Sequence, residues 1–262
     1  MANALLAGVL TVVTTSVVGT WVVLRGISFL GDALAHGVLP GIAIAFIVGV
    51  NTTFGALIAA LVMVGGINLI RARSPLPDDT SIGILFVGFL ALAVVIMSSR
   101  TGDLNRFLFG SILGVNTADL VRQAAAATIS VVGVVVFYRT FLVMTFDETQ
   151  ARLLGLRPRL GHAVLLILLA ISIVASFETV GNLLVFAFLV APPATATLLV
   201  RRVPMIMLTA IAIGTTSVMV GLLISYRTGS APGATMALVA VGCYLAALLG
   251  QAVMRPSTIS TG

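Results

Sequence analysis

A chain of 262 residues that is 60% hydrophobic and 8% charged, with a mean hydropathy of +1.21, is too apolar to be a water-soluble domain. Its net charge of +6 rests on fourteen basic residues, all arginine, set in short connections between apolar runs; this is a topology signal and not a nucleic-acid surface. Without lysine there is no GxxxxGK[ST] phosphate loop, so the chain cannot hydrolyse ATP by that device.

In lipid every backbone polar group must be satisfied internally, which leaves helices or closed barrels. Long Leu, Val, Ala and Ile runs without period-two alternation select helices. The fold class is therefore all-α, a single polytopic transmembrane bundle over residues 1–262 with eight or nine spans. The nine runs are 4–24, 29–50, 54–70, 81–98, 118–138, 161–177, 180–199, 203–225 and 233–254. The first lacks a basic leader and is long enough to span, so it is expected as an anchor and not a cleaved signal. The second is the least hydrophobic and the seventh contains Pro192 and Pro193, so these two are the candidates for a broken or re-entrant helix.

With nine spans, Arg25, Arg71, Arg73, Arg139, Arg152, Arg157, Arg159, Arg201, Arg202 and Arg255 fall on one side. Arg100, Arg106, Arg122 and Arg227 fall on the other. Ten against four makes the first side cytoplasmic, the amino terminus external and the carboxyl terminus internal.

The first chemically dense stretch is residues 25–41, RGISFLGDALAHGVLPG. Asp32 and His36 are four positions apart and share one helical face, and an ionisable pair in apolar sequence marks a pathway or a cation site. At about 1.5 Å per residue Asp32 lies ~10 Å along the helix from Arg25. Hard oxygen plus imidazole nitrogen suits manganese, zinc or ferrous iron. Two donors are half a site, and a two-fold axis along the pathway would double them to four. The bland alternative is an Asp32–Arg25 ion pair beside a packing histidine. Gly37, Pro40 and Gly41 leave room for a kink next to the pair.

Further along, Asp78 or Asp79 in RARSPLPDDT is placed to cap the next helix. The external connection 99–119 contains FLFGSILG, too short to span, together with Asp103, Arg106 and Asp119, which read as solvated loop charges or docking contacts. The longest internal connection, Tyr138 to Gly161, contains FDETQARLLGLRPRL: Asp147 and Glu148 lead a short helix with Ala151, Leu153 and Leu154 as its apolar face, stopped by Gly155 and Pro158. It is either a handle for a motor protein or an ordinary amphipathic loop helix. Glu178, in SFETVGN between two spans, is a solvated boundary carboxylate or an outer gate or docking contact. His162 begins the sixth span beside Arg159 and is expected at the interface. Cys243 is alone, which excludes an internal disulfide, and no HExxH or serine–histidine–acid constellation exists.

Three blocks, SFLGDALAHGVLPGIAIAF at 28–46, FDETQARLLGL at 146–156 and VGNLLVFAFLVAPPATATLL at 180–199, resemble the membrane permease subunits of ATP-binding-cassette importers for manganese, zinc and iron, in that family's order. The resemblance implies a homodimeric, multi-pass permease of the bacterial plasma membrane. It implies two cytoplasmic ATPase subunits, an extracytoplasmic solute-binding protein, and a transported divalent metal with no permanently bound cofactor. It places Asp32 and His36 on the metal path and makes the segment 146–158 a coupling helix whose Asp147, Glu148, Gln150, Ala151 and Gly155 contact the ATPase. The family usually has alanine where this chain has Gly37, which would loosen the helix at the site. The alternatives left open are a permease for chelated iron or a small organic cofactor, a stand-alone carrier driven by an ion gradient, and a non-transporting scaffold.

Overall fold

The computed structural model describes residues 2–73, 78–98 and 114–254, and every regular element among them is helical. The external stretch with Asp103 and Arg106, and the side chains of Asp78, Asp79 and Glu178, lie outside the described residues. In chain order the helices are α1 (Ala2–Leu24), α2 (Ser28–Gly37), α3 (Leu39–Val48), α4 (Thr52–Arg73), α5 (Asp78–Met97) and α6 (Thr117–Phe146). After these come the short α7 (Glu148–Leu153), then α8 (Pro158–Val180), α9 (Asn182–Leu199), α10 (Val203–Thr228) and α11 (Pro232–Met254).

Each of the nine apolar runs is helical. Seven segments are long and apolar enough to cross a membrane, counting α2 and α3 as one, and 82–97 and 184–199 are shorter apolar helices. The second run is divided, as its composition suggested, but shallowly: Val38 between α2 and α3 keeps helical dihedrals, and its N–H bonds the Leu34 carbonyl at 3.2 Å.

The seventh run is not broken. α9 passes through Pro192 and Pro193, and what the prolines remove is donors: the Phe188 and Leu189 carbonyls lose their partners four residues on. The space beside the Leu189 carbonyl is filled by another backbone. A Cβ at Gly19 of α1 would stand 2.0 Å from that oxygen, so only glycine lets α1 lie so close.

That contact belongs to the centre of the fold, where α1 packs against α6, α8, α9 and α10. Trp21, fully buried, meets the rings of Tyr138 and Phe141 with centroids 5.5 Å away in each case. Buried threonine hydroxyls along α1 are satisfied first by the helix itself, Thr11, Thr15 and Thr20 donating to carbonyls four residues back at 2.7–2.9 Å, while Ser16 Oγ has no partner. Gln123 of α6 then donates to Thr11 and to Ser176 of α8, and Ser130 meets Ser172 at 3.3 Å. These polar ties knit three helices together where apolar contact with lipid and with protein is nearly equivalent.

α6 is longer than its hydropathy indicated. It opens on a capping box in which Asn116 accepts from the Asp119 N–H and Asp119 from the Asn116 N–H, so Asp119 terminates a helix instead of belonging to a solvated loop. With nothing to break it before Phe146 it extends ~45 Å, which shortens the connection expected from Tyr138.

The helix ends sort into two layers. Asn3 reaches the Val115 carbonyl and Arg122 reaches Thr53 at one end, while Arg25, Glu148 and His162 meet at the other.

Gly19→Ala tests the central approach. A methyl aimed at backbone cannot be relieved by a rotamer change, so a loss of ~1–3 kcal/mol is expected. It should appear as a lowered thermal midpoint in detergent, followed by the fluorescence of Trp21, the single tryptophan. A midpoint equal to that of the parent would contradict the close packing of α1 on α9.

Candidate functional site

The site-bearing helix α2 follows α1 through a turn made by glycine. Gly26 has φ +67°, its N–H bonds the Val23 carbonyl at 3.0 Å, and Ile27 bonds the Val22 carbonyl at 3.1 Å. α2 is then held by α5, α9 and α4. Leu30, Ala33 and Leu34 are buried, leaving Asp32 and His36 on a face where their side chains are 28% and 27% exposed.

On that face the two side chains are already organised. His36 Nδ1 lies 3.1 Å from the Asp32 carbonyl oxygen and 3.3 Å from Asp32 Oδ1. Both neighbours are acceptors, so Nδ1 carries a proton, and in the neutral ring Nε2 is the nitrogen left to ligate. The ring is fixed edge-on against Phe86 of α5, with centroids 5.5 Å apart and planes at 89°. A locked imidazole with Nε2 open and a carboxylate alongside is what a first-row divalent cation needs. Among the described residues no third Asp, Glu, His or Cys joins the pair to form a group of three.

The proposed Asp32–Arg25 pair does not form. The Arg25 guanidinium instead donates to Glu148 Oε1 at 3.1 Å and meets His162 Nδ1 at 3.2 Å, with only a tenth of its side chain exposed. His162 is therefore engaged with the end of α1 and not simply interfacial.

α2 ends at Gly37, and the space beside that glycine is filled. A Cβ there would lie 1.9 Å from Met63 Sδ, so the thioether of α4 occupies the volume an alanine methyl would need and packs beneath the site.

The segment 146–158 contains the expected short helix. Asp147 caps α7 by accepting from the Thr149 and Gln150 N–H groups at 2.7 and 3.1 Å. Gly155 ends it at φ +72°, with the Leu156 N–H on the Ala151 carbonyl and the Gly155 N–H on that of Arg152, both at 3.0 Å, in a Schellman closure. The apolar face divides: Ala151 is buried, whereas Leu153 is 82% exposed and Leu154 and Phe146 also face outward. Asp147, Glu148 and Gln150 are exposed.

The model of the ABC 3 transport family matches residues 1–251. The chain is 36% identical over 249 residues to the manganese transport system membrane protein MntC of Listeria innocua, covering 94% of this chain and 89% of that one. It is 32% identical over 251 residues to the chelated iron transport system membrane protein YfeD of Yersinia pestis, covering 95% and 84%. Among solved structures, PsaBC from Streptococcus pneumoniae in complex with Fab superposes with a TM-score of 0.85 at 31% identity, over 94% of this chain and 90% of that one.

Gly37→Ala should lower stability by ~1–3 kcal/mol, as overpacking does. In the Gly37→Ala/Met63→Val double variant the clash is removed, so its thermal midpoint should lie above the sum of the two single losses. Strict additivity would show that the two positions do not share the space.

Proposed function

Because the chain belongs to the ABC 3 transport family, we propose that it is the membrane permease subunit of an ATP-binding-cassette importer that carries a divalent transition metal across a bacterial plasma membrane. The observation that carries this reading is the Asp32–His36 pair, 3.3 Å apart, with its tautomer set and its ligating atoms open. The names of the relatives divide between manganese and iron, and mixed oxygen and nitrogen donors accept either, or zinc.

The working unit is a homodimer. Two donors per chain become four across a two-fold axis, and two carboxylates offset the charge of the cation as it leaves bulk water. Contact with the ion is transient, because a pathway must release what it holds.

ATP hydrolysis resides on separate cytoplasmic ATPase subunits, and α7 is the handle they grip. Supporting this are a helix capped at both ends on a buried Ala151, and Phe146, Leu153 and Leu154 turned outward as an apolar contact surface. Asp147 and Gly155 serve by shaping the handle, Glu148 and Gln150 by lining it. An extracytoplasmic binding protein delivers the metal at the opposite end, with Glu178 as an outer gate or docking contact. All nine runs span, with the carboxyl terminus internal.

Asp32→Ala and His36→Ala should each lower metal-dependent uptake by at least about tenfold, while the ATPase still copurifies. Growth rescue under metal limitation, with elemental analysis of the cells, reads both the loss and the metal. Full uptake by both variants would refute the site. Leu153→Glu, at a position exposed in the single chain, should leave the thermal midpoint unchanged yet release the ATPase on purification; retention of the ATPase would refute the handle.

A further inference from the structure

We propose that Arg25 is a positioning residue that ties the ATPase handle to the metal-bearing helix, so that movement of α7 is delivered to Asp32 and His36. The inference rests on the transport reading above and adds the link between its two ends. Arg25 is the last residue before the Gly26 turn, only three positions from the start of α2, and its guanidinium contacts three elements distant in sequence. Nη2 donates to Glu148 Oε1 at 3.1 Å on the first residue of α7. Nη1 meets His162 Nδ1 at 3.2 Å on the first turn of α8 and lies 3.8 Å from Met144 Sδ on the last turn of α6.

A charged group so enclosed moves with its partners, because separating it would strand a guanidinium with a tenth of its side chain exposed. The turn behind it is tight, with the Leu30 N–H bonding the Ile27 carbonyl at 3.0 Å directly after the glycine. Displacement of Arg25 is therefore passed to the start of α2 at Ser28, ~6 Å along the helix from Asp32. α7 itself bears no candidate metal ligand, so its movement has to reach α2 through another residue.

The same geometry assigns the charges. Glu148 takes the arginine, so Arg25 does not compete with a cation for the Asp32 carboxylate.

The test uses the complete transporter, with its copurifying ATPase and binding protein, in lipid vesicles supplied with Mn²⁺, scoring manganese moved per ATP hydrolysed. Arg25→Gln should assemble and hydrolyse ATP but move about tenfold less manganese per ATP, and Glu148→Gln, scored on transporter that retains its ATPase, should show the same loss in that ratio. The double variant should also lose about tenfold, not a hundredfold, since both changes cut one link. Arg25→Lys, which keeps the charge but not the fork, should fall between. Glu148→Gln, at a half-exposed side chain, guards against misfolding of the arginine variants. A parental ratio in Arg25→Gln or Glu148→Gln, or losses that multiply in the double variant, would overturn the tie. A parent that moves no manganese, zinc or iron would instead overturn the transport reading, and with it the reason for the tie.

Discussion

A carboxylate and an imidazole held together inside an apolar bundle are tolerable only while each remains hydrogen bonded, and the structure around α2 is arranged to meet that condition. The Asp32 carbonyl and carboxylate take the Nδ1 proton of His36, Phe86 fixes the ring, and Met63 fills the hollow left by Gly37. Nothing in this arrangement consumes Nε2 or neutralises Asp32. The pair is stable enough to persist and polar enough to attract a cation, which is what the proposed transient contact with a metal requires.

The bundle provides a rigid wall behind that helix. α1 lies at its centre, joined to α6 and α8 by Gln123 and to α9 at the Gly19–Leu189 approach, so α2 emerges from a fixed base through one glycine turn. Rigid helices with one short junction confine any change of shape to a few dihedral angles. The junction is where Arg25 sits.

Much of this was legible in the sequence because its signals are local. The apolar runs gave the helices, the spacing of Asp32 and His36 put both on one face, and Asp147 and Gly155 bracketed α7 in the expected manner. Two inferences failed for identifiable reasons. Pro192 and Pro193 did not break α9, since tertiary packing on α1 outweighs two missing hydrogen bonds. The alternative that paired Arg25 with Asp32 drew on their nearness in sequence, whereas the partners of Arg25 lie 123 and 137 residues away and no periodicity encodes such a meeting. The Gly37–Met63 exchange was hidden for the same reason: a missing methyl is visible in one helix, but the atom that replaces it belongs to another.

The hydroxyls of α1 bear on how such a chain is made. Thr11, Thr15 and Thr20 are each bonded to the preceding turn of their own helix. Hydroxyls closed in this way need no neighbour when the segment leaves the insertion machinery; Ser16 Oγ and Trp21 Nε1 of the same helix, buried without a hydrogen-bond partner, are the exceptions. Gln123, whose amide reaches α1 and α8, is the opposite case: its full complement of bonds exists only once three helices have met, and its burial is a late step of assembly.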